Sequence, residues 1–231
     1  MYRAYFSLSL SLVRSLPTEL ATKLLKKFIG YQTADHEVPI EIEKKYRLTR
    51  KQREELQRRL PKIGAAFEAE EFEENTLYRG GALDSGTSVL RLRRSGDSAA
   101  PGGMADGPIR AVLTYKQRLP GVSSIKQQQE DETEVSDAEA MGAILDALGF
   151  VPALVYEKRR TTWRLGGAEI VIDELPFGLF MEIEGPEPEI MKVERQLAIK
   201  GLRAEHATYP QLTERHGKAN NGVIEARFSG K

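Results

Sequence analysis

The sequence predicts an α+β protein that is mainly antiparallel β-structure, with eight strands closed into a barrel and helices packed outside it. Eight short segments of alternating apolar and polar residues, separated by turn residues, predict the strands. Three amphipathic segments bounded by capping residues predict the helices. Closure is expected because a barrel leaves no unpaired strand edge, and eight strands leave room for side chains or one small ligand.

The predicted strands share a period-two pattern, which places alternate side chains on opposite faces of a sheet. They cover residues 38–46, 71–79, 87–94, 109–117, 123–134, 154–164, 168–174 and 178–185. The segment between the third and fourth strands, residues 95–108, is rich in Gly, Pro, Ala and Asp. Such a composition predicts a flexible insertion there.

Capping residues bound each of the three predicted helices. The first begins after Thr49 as N-cap and ends at Pro61. The second begins after Ser136 as N-cap and is stopped by Gly149. The third follows the last strand and is stopped by Gly201.

The chain divides into an N-terminal extension, residues 1–35, a main domain, residues 36–216, and a flexible tail, residues 217–231. The extension is basic and serine-rich, and residues 17–28 have the spacing of a short amphipathic helix. Three interpretations stay open for it: an organellar leader, a helix packed on the domain, or a start codon placed too far upstream. The tail is small and polar, which predicts fraying.

Composition excludes several classes of function. The chain has 231 residues, and Lys+Arg and Asp+Glu both count 34, so no net field attracts nucleic acid or an anionic membrane. The absence of cysteine excludes disulfides and thiolate chemistry and suits a reducing cytoplasm. Only three histidines are present, far apart in sequence, and no run approaches the ~20 apolar residues of a membrane-spanning helix.

Charged side chains occur at alternate positions on several strands, with basic residues dominating some strands and acidic residues others; Lys45 shares its face with Glu41 and Glu43. The basic set is Arg91, Arg93, Lys116, Lys158 and Arg160, and the acidic set is Glu41, Glu43, Glu182 and Glu184. For any one strand, a polar face exposed to water is the favoured interpretation. For the whole set, the segregation by sign and the abundance of arginine, whose planar fork suits phosphate oxygens, favour an anion-binding face.

The same "EIE" triplet occurs in the first and last strands of the domain. In a closed barrel these strands can be neighbours, which would bring four carboxylates together. Such a cluster is costly without a cation, and oxygen ligands without His or Cys select Mg²⁺ or Mn²⁺. Basic strands facing that metal ion would bind a polyphosphate, so the pattern predicts a metal-dependent triphosphate site.

These motifs resemble those of the CYTH domain, the triphosphate tunnel metalloenzymes. The resemblance covers about residues 38–215 and includes, in the family's order, "EIEKK", "LRLRR", "LTYKQ", "EDETEV", "EKRRTTW" and "DELPFGLFMEIEG". It implies an eight-stranded antiparallel tunnel with the triphosphate bound inside. The turn after the second strand, "LYRGGALDSG", departs from the family's usual pattern, so the substrate selectivity of the tunnel entrance is left open.

The resemblance also implies roles for individual residues. The implied metal ligands are Glu41, Glu43, Glu182 and Glu184, assisted by Asp173, and the implied phosphate-binding residues are Arg91, Arg93, Lys116 and Arg160. Lys45 would lie at the tunnel wall near the phosphates, with a catalytic or substrate-binding role. Lys158 would orient or deprotonate the attacking water, or else serve as another phosphate anchor.

Three functions remain open at this point. The first is hydrolysis of inorganic tripolyphosphate, thiamine triphosphate or a nucleotide. The close alternative is conversion of ATP to cyclic AMP and pyrophosphate, as in class IV adenylate cyclases, because the same residues serve either reaction. A non-catalytic polyphosphate-binding module is the third. The expected partner is a small-molecule triphosphate, and the protein is expected to be a monomer or a homodimer.

Overall fold

The computed structural model describes residues 42–85, 88–97, 103–104, 107–118, 128–199 and 201–229. All of them lie in one compact unit, Pro39–Lys231. The predicted N-terminal extension and Glu41 lie outside the described residues, as does half of the predicted insertion. The predicted class, α+β with mainly antiparallel strands, is confirmed.

Eleven strands form one sheet in the described part of the chain. They are β1 (Glu43–Leu48), β2 (Ala66–Arg79), β3 (Ser88–Asp97), β4 (Arg110–Arg118), β5 (Gln128–Val135), β6 (Val151–Leu165), β7 (Ala168–Leu175), β8 (Gly178–Glu184), β9 (Arg203–Ala204), β10 (Lys218–Asn220) and β11 (Val223–Ala226). Each predicted strand corresponds to one of the first eight. The boundaries differ by a few residues, since β3 extends to Asp97 inside the predicted insertion and β2 begins at Ala66.

The strand order is β5-β4-β3-β2-β6-β7-β8-β1-β9, with β11 pairing in parallel with the first part of β6. The expected contact between the first and last predicted strands is present, because β1 pairs with β8. This contact lies within the sheet and not at a closing seam. The described strands do not show the predicted closure, because β5 pairs only with β4 among them.

Four helices accompany the sheet in the described residues: α1 (Arg50–Arg59), α2 (Ala138–Ala147), α3 (Glu187–Gln196) and α4 (Tyr209–His216). Thr49 caps α1 as predicted, in a capping box with Gln52. The predicted cap of α2 was wrong by one residue: Asp137 caps it, because its carboxylate accepts hydrogen bonds from the backbone N–H groups of two residues in the first turn.

The predicted end of α3 at Gly201 was also wrong. The helix ends at Gln196, and Ala198 adopts a left-handed φ of 47°, which interrupts the helical backbone before the glycine is reached. None of the described helices is long and apolar enough to cross a membrane.

The main core lies on one face of the sheet, beneath α1 and α3. Alternate residues of β1, β7 and β8 supply it, and its fully buried members include Ile170, Met181 and Ile183. Burial of each such side chain contributes about 1.5–3 kcal/mol. A smaller cluster joins α2 to β3 through Leu145 and Leu90. These three helices therefore cover the apolar face, as the sequence predicts.

The fourth helix, α4, was not predicted, and it does not pack on the apolar face. Tyr209 and Leu212 of α4 form a separate cluster with Leu77, Tyr156 and Phe180, which point to the opposite face of the sheet. As a result, α4 covers one end of the face that carries the charged residues. The sequence predicted helices outside the barrel and none on this face.

The predicted flexible tail is folded over most of its length. The two strands β10 and β11 form a hairpin whose turn residues Asn221 and Gly222 have φ of 49° and 82°, as a type I′ turn requires. Arg227 Nη1 then pairs with Glu157 at 3.1 Å, and the Phe228 ring lies 3.9 Å from the Arg159 guanidinium. The tail was mispredicted because its polar composition concealed an Asn-Gly hairpin signal.

Candidate active site

Residues that lie opposite each other in antiparallel strands share a face of the sheet. The register places Glu43 opposite Glu184, Lys45 opposite Glu182, Glu73 opposite Lys158, Arg160 opposite Asp173, and Lys116 opposite Glu130. We call the shared surface the charged face: Glu43, Lys45, Glu73, Asn75, Arg91, Arg93, Thr114, Lys116, Lys158, Arg160, Asp173, Glu182 and Glu184. The structure thus places on one face every predicted site residue that it describes; Glu41 lies outside the described residues.

Arg160 and Asp173 form the centre of the charged face. Arg160 donates from Nε to Asp173 Oδ1 at 2.8 Å and from Nη2 to Oδ2 at 2.6 Å, a bidentate pair. Its Nη2 also donates to Glu182 Oε2 at 2.9 Å. Asp173 is completely buried. Burial alone would raise the pKa of its carboxyl, but the charges of Arg160 and Lys158 outweigh burial and hold that pKa below its usual value.

Lys158 is buried beside this pair. Its Nζ lies 3.1 Å from Glu73 Oε2 and 3.7 Å from Asp173 Oδ2. Burial, followed by the charge of Arg160, lowers the pKa of Lys158 below its usual value, although the neighbouring carboxylates oppose the shift.

The sequence analysis missed Glu73 and Asn75. Asn75 Nδ2 donates to Glu73 Oε2 at 3.2 Å, and both residues are buried. Burial would raise the pKa of Glu73, but the charges of Lys158, Arg160 and Arg93 hold it well below its usual value, so the carboxylate stays ionised. The signal was available in "EFEEN", where period two sets Glu73 and Asn75 on the face opposite Phe72.

Tyr209, also missed, joins α4 to the charged face. Its hydroxyl donates to Asp173 Oδ2 at 2.7 Å, and its ring centroid lies 4.1 Å from Lys45 Nζ and 5.6 Å from Lys158 Nζ. Burial and the charge of Asp173 raise the pKa of Tyr209 well above its usual value, so the hydroxyl remains a donor. The only sequence signal was the capping box of Thr208 and Gln211 at the start of α4.

Lys45 completes the central cluster. Its Nζ lies 3.1 Å from Glu182 Oε1 and donates to the backbone oxygen of Ala207 at 3.3 Å. Three carboxylates, those of Glu73, Asp173 and Glu182, therefore alternate with three cations, those of Lys45, Lys158 and Arg160. The cluster is close to neutral, and its members hold each other in place.

A second group of cations lies on β3 and β4. Arg91 Nη2 donates to Thr114 Oγ1 at 3.2 Å and lies 3.5 Å from Glu132 Oε1, and Lys116 Nζ lies 2.7 Å from Glu130 Oε2. The acidic residues Glu130 and Glu132 of β5 therefore pair with basic residues of β4 and β3. The Nε groups of Arg91 and Arg93 are buried without a hydrogen-bond partner in the described part of the protein.

The predicted metal ligands that the structure describes lie on adjacent strands. Glu43 is opposite Glu184 on β1 and β8, and Glu182 follows on the same face. Their donors are all carboxylate oxygens, which fit a hard divalent cation. In residues 42–229, where described, no three His, Asp or Glu groups are close enough to form a ready metal site. Asp173 differs from the others, because Arg160, Lys158 and Tyr209 surround its two oxygens.

A sequence model of the CYTH domain matches residues 39–209. The chain belongs to the CYTH family. Its CYTH domain is similar in structure to PH1012 protein from Pyrococcus horikoshii OT3, at 26% identity and a TM-score of 0.58, with 74% of this chain and 98% of that chain covered. PH1819 protein from the same organism is 25% identical, with a TM-score of 0.59 and 76% and 98% covered.

HpAC1 from Hippeastrum, whose reported dominant activity is that of a triphosphatase, is 22% identical, with a TM-score of 0.54 and 80% and 98% covered. At this identity the similarity shows the fold of the CYTH domain. No curated protein matches the chain.

Proposed function

We propose that this CYTH-family protein is a metal-dependent phosphoryl-transfer enzyme that binds a triphosphate on the charged face and hydrolyses it. The observation that carries the proposal is the row of basic side chains on that face. Arg91 and Arg93 each hold a buried Nε without a hydrogen-bond partner in the described residues, beside the cluster around Lys158. Guanidinium groups with unused donors suit the oxygens of a polyphosphate.

The relatives support hydrolysis as the leading reaction. HpAC1 resembles this chain in fold, and its dominant activity is that of a triphosphatase. The alternative, cyclisation of ATP, is supported by the fold similarity to a candidate adenylate cyclase from Vibrio parahaemolyticus, at 19% identity. We place hydrolysis first because none of the residues on the charged face evidently reads a nucleobase. A cyclase would need contacts to the base of ATP, whereas a triphosphate hydrolase needs contacts to the phosphates alone.

The metal is proposed to be Mg²⁺ or Mn²⁺. Glu43, Glu182 and Glu184, together with Glu41 from outside the described residues, would hold it. A bound divalent cation neutralises charge that develops on phosphate oxygens. The assignment is supported by the register, which sets Glu43 opposite Glu184 with Glu182 on the same face, and by the preference of such a cation for carboxylate oxygens.

Residues of the chain itself perform the remaining tasks. Arg91, Arg93 and Lys116 bind phosphate oxygens, and Arg160 approaches them from the central cluster. Lys158, fixed by Glu73, orients the attacking water, and Lys45 either assists it or anchors a phosphate. The water oxygen forms a bond to the terminal phosphorus while the bond from that phosphorus to the bridging oxygen breaks, which leaves orthophosphate and the shortened polyphosphate.

We further propose that the eight predicted strands close into a tunnel around the triphosphate. The motifs of the family support this closure. The cytoplasmic location and the monomeric or dimeric state also stay predictions from the sequence.

One experiment tests the reaction. The purified protein is incubated with tripolyphosphate, thiamine triphosphate or ATP, with Mg²⁺ or Mn²⁺, and orthophosphate, pyrophosphate and cyclic AMP are quantified. Hydrolysis releases orthophosphate from at least one substrate and yields no cyclic AMP. Cyclic AMP with an equal amount of pyrophosphate would instead establish the cyclase. No turnover of any triphosphate would leave only a binding module.

A further inference from the structure

The environment of Asp173 does not match that of a metal ligand. Its side chain is fully buried, Oδ1 accepts from Arg160 Nε at 2.8 Å, and Oδ2 accepts from Arg160 Nη2 at 2.6 Å. Oδ2 also accepts from the Tyr209 hydroxyl at 2.7 Å and lies 3.7 Å from Lys158 Nζ. A divalent cation bound directly to either oxygen would meet guanidinium or ammonium charge at short range.

Glu182 provides the comparison on the next strand. Its two oxygens also meet Lys45 at 3.1 Å and Arg160 at 2.9 Å, but its side chain keeps 10% exposure where that of Asp173 has none, and it lies two residues from Glu184, which is opposite Glu43. Glu182 therefore lies next to Glu43 and Glu184 on the charged face. The Asp173 carboxylate is completely buried, and the Tyr209 hydroxyl of α4 donates to it.

We propose that Asp173 and Tyr209 form a clamp that positions Arg160 for the triphosphate, and that Asp173 does not bind the metal. The Tyr209 hydroxyl fixes the plane of the Asp173 carboxylate, and the bidentate pair transmits this orientation to the guanidinium. The ring of Tyr209 supports the same arrangement by lying beneath Lys45 and Lys158. The role of Arg160 in phosphate binding rests on the proposed function, whereas the exclusion of the metal from Asp173 is a separate claim.

The chain offers a matched control for Tyr209. The Tyr46 hydroxyl donates to Glu194, so it also makes a tyrosine–carboxylate hydrogen bond, but its ring belongs to the apolar core on the other face of the sheet. Tyr209→Phe and Tyr46→Phe each remove one hydroxyl and keep the ring. A purely structural role for Tyr209 predicts that both variants lose thermal stability and keep the wild-type KM.

The clamp predicts a different result. Tyr209→Phe should raise the KM for tripolyphosphate about tenfold, while Tyr46→Phe leaves it within about twofold of wild type. In an Asp173→Asn background the same Tyr209→Phe change should shift KM by less than about twofold, because the hydroxyl acts through Asp173. A wild-type KM in Tyr209→Phe would overturn the clamp.

Metal binding is measured separately, by titrating Mn²⁺ into the purified proteins without substrate. Asp173→Asn should keep the Mn²⁺ dissociation constant within about twofold of wild type, whereas Glu43→Gln should weaken binding at least about tenfold. Equal weakening in both variants would make Asp173 a ligand and contradict the proposal. If Asp173→Asn does not fold, the Mn²⁺ dissociation constants of Tyr209→Phe and Tyr46→Phe are compared instead. Equal constants support the exclusion of Asp173 from the metal, and weaker binding in Tyr209→Phe alone would contradict it.

The two proposals can fail independently. If the wild-type protein binds tripolyphosphate but releases no phosphate, the proposed hydrolysis is wrong, and the clamp is then tested with tripolyphosphate dissociation constants in place of KM. If the wild-type protein is active and Tyr209→Phe behaves like Tyr46→Phe, only the clamp is wrong.

Discussion

Lys158 and Glu73 form a buried ion pair on neighbouring strands, with 3.1 Å between Nζ and Oε2. Neither side chain is more than 5% exposed. Two charges removed from water in this way are tolerated because each has an opposite charge and further hydrogen-bonding groups within reach. The pair fixes the side chain that we propose to orient the attacking water.

Replacement of Glu73 tests how much the fold depends on this pair. Glu73→Gln leaves the Lys158 charge less compensated, so we expect a loss of roughly 3 kcal/mol of unfolding free energy near pH 7. The pKa of Glu73 is lower in the folded state, so its contribution to stability is full above the unfolded pKa of about 4.3 and is lost as pH falls below it.

The variant should therefore lose less stability than wild type between about pH 5 and pH 2. Urea unfolding at several pH values measures this difference. Parallel pH profiles for the two proteins would show that Glu73 does not titrate as the structure indicates.

Glu43 is the predicted metal ligand whose replacement disturbs the fold least, because its residue is exposed. Glu43→Gln removes one anionic donor, so we expect phosphate release to fall at least about a hundredfold while the melting temperature stays close to that of wild type. Steady-state assays at several Mg²⁺ concentrations and a thermal melt measure both. Wild-type turnover in this variant would refute the ligand assignment.

Adjacent arginines on β3 point to opposite faces and provide a matched pair. Arg93 lies on the charged face, and Arg94, at the next position, lies 3.9 Å from Glu74 on the other face. Arg93→Ala should raise the KM for tripolyphosphate about tenfold or more, because one phosphate contact is lost. Arg94→Ala should leave KM unchanged, and an equal rise in both would indicate a general electrostatic effect.

Gly185 ends β8 directly after Glu184, and its backbone requires glycine. Its φ is 143°, and an added Cβ would lie 2.8 Å from the backbone oxygen of Gly167. We expect Gly185→Ala to lower the unfolding free energy by about 1–3 kcal/mol. Gly142 in α2 is the control, because its Cβ would lie 3.8 Å from the Tyr78 hydroxyl.

Gly142→Ala should stabilise the protein by roughly 0.5–1 kcal/mol through helix propensity. Denaturant unfolding of both variants checks the two signs. A neutral Gly185→Ala would mean that the end of β8 can adjust its backbone.

Much of the fold could be predicted because the alternation of side chains is local. The pattern in "VLRLRR" is enough to place Arg91 and Arg93 on one face and Leu90 and Leu92 on the other, whatever the neighbouring strand is. The caps of α1 were similarly readable, since Thr49 and Gln52 lie within one turn. In α2, Ser136 and Asp137 are adjacent and both are residues that can cap a helix. The side chain of Asp137 is the one that accepts hydrogen bonds from two backbone N–H groups.

The sequence by itself determined which residues face which side of each strand and the sign of the charge on that side, because these depend on neighbours along the chain. Only the tertiary structure decided that Glu73 meets Lys158 and that Tyr209 reaches Asp173 from α4, because register and helix packing depend on distant segments. The tertiary structure also decided that β1 pairs with β8 inside the sheet. Strand order is set by the packing of all strands together, so it cannot be read from the sequence of any single strand.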